Sequence, residues 1–110
     1  MKEIKSQFEK IVQEDFNQFR KLSKIFMNVA PEDADTLFEL SRESWLLATR
    51  WSEIQSNASR ISIDNNITKM DFQNWAYQKY RQLQEMHITT RSWYRLAIED
   101  MKLNNMIDGV

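Results

Sequence analysis

The sequence predicts an all-α protein: an antiparallel, up-down-up bundle of three helices with coiled-coil-like packing, the third helix the longest. Three observations carry that expectation. The 110 residues include one glycine, Gly109, and one proline, Pro31, whereas a turn-rich β fold draws heavily on both. Apolar residues recur at spacings of three, four and seven rather than two. That periodicity is interrupted near Pro31 and again at Ser62–Thr68.

The first helix is expected over about 2–29. Ile4, Phe8, Ile11, Phe19, Leu22, Phe26 and Val29 form its apolar stripe. Ala30-Pro31 stops it, because a residue before proline is pushed out of the α region. The second helix is expected over about 32–61, with Pro31 in its first turn and Glu32, Asp33 and Asp35 complementing the positive end of its dipole. Leu40, Leu47, Ile54 and Ile61 fall seven apart, as do Leu37, Ser44, Trp51 and Ala58. A sustained seven-residue repeat implies left-handed supercoiling at shallow crossing angles.

Residues 62–67 are rich in side chains that compete for backbone hydrogen bonds. Thr68 with Asp71 resembles a capping box, and the third helix is expected over about 69–107 with Gly109 as its C-cap. Its weak point is His87-Ile88-Thr89-Thr90, where three β-branched residues lower helix propensity. A kink or break at 87–90 is the architectural alternative. One domain over 1–110 is expected, since a chain this short does not build two cores.

Composition narrows the function classes. Hydrophobic residues make up 42% of the chain, enough for a core and against wholesale disorder. Fifteen basic and 16 acidic residues give a net charge of −1, which lacks the basic footprint of duplex binding. With no cysteine there are no disulfides or thiolate sites, which suits the cytoplasm. The charged stretch Lys2–Lys10 does not read as a signal peptide, and no apolar run is long enough to span a membrane.

No residue pattern points to catalysis, a cofactor or a metal, and no enzyme is expected. His87 is the single histidine and has Gln84, not glutamate, three residues before it, unlike the Glu-x-x-His pairs of di-iron bundles. It reads as a hydrogen-bonded histidine at the edge of an aromatic seam, with a pH-sensitive contact as the functional alternative. Asp15 falls inside the apolar stripe of the first helix, and a lone charge there is costly. In an up-down-up bundle it is expected level with Ser44–Trp51 and His87–Arg91. It would then share a polar layer with Ser44, His87 and Thr90, partnered by one of Ser44, Trp51, His87, Thr90 or Arg91. Such a layer sets register in coiled coils; exposure of Asp15 through imperfect packing and a polar ligand site between the helices are the alternatives.

Trp51 and Trp93 occupy core stripes, Trp75 shares a flank with Met86 and Trp93, and Trp45 shares a second seam with Phe38. That seam calls for another helix of the same chain or a partner. Tyr77, Ile88, Leu96 and Leu103 project away from the core stripe of the third helix, and a helix apolar on two sides usually buries both. They are the candidate interface. Lys79, Arg81, Arg91 and Arg95 bias the third helix positive, opposite the acidic start of the second.

The leading expectation is a cytoplasmic, non-enzymatic protein–protein interaction module, a small adaptor, regulator, inhibitor or chaperone. It would self-associate through the third helix, as a dimer that Leu96→Glu or Leu103→Glu weakens. The alternatives are an amphipathic coat on a granule or lipid surface and a small-ligand or nucleic-acid-binding helical protein, nucleic acid being the weakest.

Overall fold

The computed structural model describes residues 8–58 and 66–108, with side chains of the last helix described for 69–105. Among the described residues three long helices carry the fold: α1 (Gln13–Asn28), α2 (Ala34–Ser56) and α3 (Asn66–Asp108). No strand occurs among the described residues. Ring contacts give the directions. Phe38 meets Tyr94, Trp45 meets His87 and Trp51 meets Trp75 at centroid distances of 5.5, 5.2 and 5.4 Å, so α2 and α3 are antiparallel. Phe16 meets Trp75 and Phe26 meets Trp93, both at 5.7 Å, so α1 and α3 run the same way. The bundle is up-down-up.

The heptad positions of α2 bury as their spacing requires: Leu37, Leu40, Ser44, Leu47 and Trp51 all lie in the core. Ala76, Leu83, Thr90 and Ala97 of α3 are buried as well, and α2 and α3 form the most extensive helix–helix contact among the described residues. Ile61 lies outside the described residues. The α2/α3 pair is therefore the spine. α1 leans on it through large aromatic side chains, Phe16, Phe19 and Phe26, which are only partly buried.

Several boundaries differ from expectation, each with a local reason. Pro31 sits in a turn rather than in the first helical turn: the Asp33 N–H bonds the Ala30 carbonyl at 3.0 Å. Asp33 is then the N-cap of α2, accepting from the Thr36 N–H at 3.2 Å and the Thr36 hydroxyl at 2.7 Å. The first helix is not one smooth rod. Residues 8–11 are helical, but Val12 departs from helical geometry (φ −121°, ψ 41°) before α1 begins. That departure falls on a β-branched pair, Ile11-Val12, and Ile11 is exposed rather than in the stripe. Ile4 lies outside the described residues.

α2 ends at Ser56, earlier than expected; of the break expected at Ser62–Thr68, residues 62–65 lie outside the described residues and 66–68 are helical. α3 already includes Asn66, so Thr68 stands inside the helix and not at an N-cap; the C-cap assigned to Gly109 lies outside the described residues. α3 is continuous through 87–90. Thr90 Oγ1 donates to the Met86 carbonyl at 2.7 Å and lies 3.2 Å from the His87 carbonyl. The hydroxyl thus satisfies itself on the preceding turn, which keeps a buried threonine compatible with the helix.

At 1.5 Å per residue, α3 is about 64 Å long, nearly the whole 69 Å long axis of the molecule. Its excess lies at the C-terminal end. Ala34 and Phe38, at the start of α2, border a recess with Ile98 and Met101, and Met101–Asn105 are exposed throughout.

Candidate functional site

The expected polar layer forms in part. Ser44 and Thr90 are fully buried. The Ser41 carbonyl accepts from Ser44 Oγ at 3.1 Å and lies 2.7 Å from His87 Nδ1. A carbonyl has no proton to give, so Nδ1 carries the hydrogen and donates it. His87 thereby pins α3 to α2, with the Trp45 ring packed against it. Ser41 was not legible in the sequence as a partner, because its shorter contact is through a backbone oxygen, which any residue has; its hydroxyl lies 3.3 Å from the same nitrogen.

Asp15 does not join this layer. Its carboxylate takes two hydrogen bonds from the Arg50 guanidinium, at 2.8 and 3.2 Å. Arg50 was not among the expected partners. The expected height was correct against α2 and wrong against α3. Phe16 and Phe19 lie near Trp75 and Lys79, with Lys79 Nζ 5.0 Å from the Phe19 ring centroid, rather than near 87–91. Centring three helices of unequal length on one another caused the error, since α3 overhangs at one end only. Asp15 is 17% exposed and Arg50 64%, so the pair closes the rim of the α1/α2 contact. The bonds to Asp15 raise the Arg50 pKa above its ordinary value.

The tryptophans also sort differently from their stripes. Trp51 and Trp75 are core residues, while Trp93 is exposed at one edge and stacks flat on Phe26. Trp45 and Phe38 are about half exposed, 54% and 48%. Their seam is not covered by α1, which packs on the other side of α2/α3, against Leu47, Trp51, Trp75 and Met86. Phe38 and Trp45 instead line an open groove with Tyr94 and His87.

The four candidate interface residues are all exposed: Ile88 63%, Leu96 57%, Leu103 56% and Tyr77 44%. At about 100° per residue, Leu96 and Leu103 lie within roughly 20° of each other, opposite the core. Tyr77 and Ile88 sit nearer the open groove. The helix therefore has two apolar margins besides its buried one.

Shallow grooves flank α1. One, about 500 Å³, runs between α1 and α2 past Lys21, Leu22, Asp35, Glu39 and Glu43. A second of the same size runs between α1 and α3 past Phe26, Met27, Glu85 and Thr89. Among the described residues no group of three or more histidine, aspartate and glutamate side chains could hold a metal ion. Among those residues too, no helix is long and apolar enough to cross a membrane. Comparison with protein-family models, curated proteins and solved structures finds no match.

Proposed function

We propose that this chain is a non-enzymatic protein–protein interaction module, a small helical adaptor, regulator, inhibitor or chaperone that self-associates through α3. The observation that carries the reading is the exposure of Ile88, Leu96 and Leu103 on the side of α3 away from the core. Isolated exposed apolar residues need no explanation. A leucine pair one heptad apart on the outer face of the longest helix is a docking strip. It offers a face to a second copy of this chain or to another protein. The lack of cysteine suits a cytoplasmic setting.

Two measurements test this. Light scattering on the purified chain should give a mass above the 13.3 kDa of one copy. Immobilised wild type should retain proteins from native extract that the Leu96→Glu/Leu103→Glu double variant loses at unchanged helicity. A chain that stays at one-copy mass and retains the same proteins with or without those leucines would overturn the proposal.

A further inference from the structure

The open groove between α2 and α3 has an apolar floor and oppositely charged margins. Its floor is Phe38, Trp45, His87 and Tyr94, paired across the two helices at 5.5 and 5.2 Å. Along α3, the flank next to His87 and Tyr94 carries Arg91, Arg95 and Lys102, all exposed and in no ion pair among the described residues. On the α2 side, Asp35 and Glu39 border the groove beside Tyr94 and Ile98, at the height of those cations; Glu39 is already bonded by Arg42 at 2.8 Å, whereas Asp35 is in no ion pair among the described residues.

Within one copy the two margins lie on opposite sides of the groove. A two-fold axis parallel to the helices brings them together. It sets α2 of one copy over α3 of the other, antiparallel and at the same height. Acidic Asp35 and Glu39 of each copy then face Arg91, Arg95 and Lys102 of the other. Both contacts form at once, as an isologous interface requires.

We infer that the α2/α3 groove seats the same groove of a second copy, making a four-helix core of two α2/α3 pairs with α1 outermost on each side. The inference rests on the self-association proposed above and says where it occurs. From Ala34 to Trp45 the groove follows α2 for about 17 Å. Half-exposed Phe38 and Trp45 are the central aromatic anchors such an interface uses. The Leu96–Leu103 strip stays outside it.

Charge exchange tests the arrangement. One variant carries Arg91→Glu and Arg95→Glu, the other Asp35→Lys and Glu39→Lys. Each alone sets like charge against like in both contacts, so each should run at the 13.3 kDa of one copy where wild type runs at twice that. Mixed together, the two complement in both contacts and should recover the doubled mass, which also shows that each is folded. If the variants alone stay dimeric and Leu96→Glu/Leu103→Glu becomes monomeric, the second copy sits on the other side of α3; this inference fails and self-association stands. Failure of the mixture to recover doubled mass also overturns it. Wild type at one-copy mass over the whole micromolar range overturns both.

Discussion

Trp51 sits at the centre of the fold with two opposing terms on one side chain. It is fully buried and packs edge-on against Trp75 at 5.4 Å and against Phe19 at 6.3 Å. Its indole N–H has no acceptor among the described residues. Trp51→Phe keeps a ring for both contacts and deletes the donor. The lost apolar area, about 40 Å² at ~25 cal/mol per Å², costs about 1 kcal/mol. The cavity, roughly 40 Å³ at ~24 cal/mol per Å³, costs about 1 kcal/mol more. Removing a buried donor without an acceptor returns about 1–3 kcal/mol. The terms nearly cancel, so the substitution should change stability by less than ~1 kcal/mol. Trp51→Ala has no such offset for its lost rings and should cost about 3–5 kcal/mol. Urea unfolding followed by far-UV circular dichroism measures both. A Trp51→Phe loss above ~2 kcal/mol would show that the folded protein satisfies the indole and would refute the reasoning.

Thr90→Val exchanges a self-satisfied buried hydroxyl for a methyl of similar size, and should be neutral or stabilising by up to about 1 kcal/mol in the same assay. A clear loss would mean the hydroxyl serves more than its own helix. Arg50→Ala removes the pair with Asp15 at an exposed rim, and should cost no more than ~1 kcal/mol, shrinking with added salt. An equal loss at high salt would point to packing of the arginine stem instead. Asp33 is held below its ordinary carboxylate pKa of 3.8 by the Thr36 hydroxyl and N–H. Its lowered folded-state value means that the cap's contribution is present above 3.8 and is lost as pH falls toward that lower value. Asp33→Asn keeps a capping side chain without a charge to titrate. Acid titration of helicity should therefore be flatter in that variant, and identical curves would remove Asp33 from the acid response.

What the sequence disclosed, and what it withheld, divides along the reach of each interaction. α2 was readable almost residue by residue, because one face packs along a regular repeat and Leu37, Leu40, Ser44, Leu47 and Trp51 had to share it. The end of the first helix at Ala30-Pro31 was readable because proline acts on its immediate neighbour. Asp15 was recognisable as a charge needing a partner, but not as the partner of Arg50. A long arginine reaches over the rim from outside the core stripe, and no periodicity marks such a reach. The height of α1 against α3 was hidden for a related reason. Spacing within a helix says which face is apolar, not how far one rod slides along another. The floor of the open groove was half visible, since Phe38 and Trp45 stood off the main stripe. That α1 leaves them uncovered depends on which side of the α2/α3 pair it chose.

The unequal attachment of the helices also shapes how this molecule opens. α2 and α3 share the most extensive contact of the described fold, whereas α1 leans on them through partly buried phenylalanine rings and is tied at its rim by Asp15 and Arg50. Such a segment can detach without dissolving the rest, as the lowest-energy cooperative unit of a native state does. Detachment would uncover Leu47, Trp51 and Trp75, the apolar wall opposite the α2/α3 groove. Amide hydrogens of α1 should then exchange with solvent as a group, well before those of the α2/α3 pair. The first helix is in effect a removable cover on one side of a hairpin whose other side is already bare.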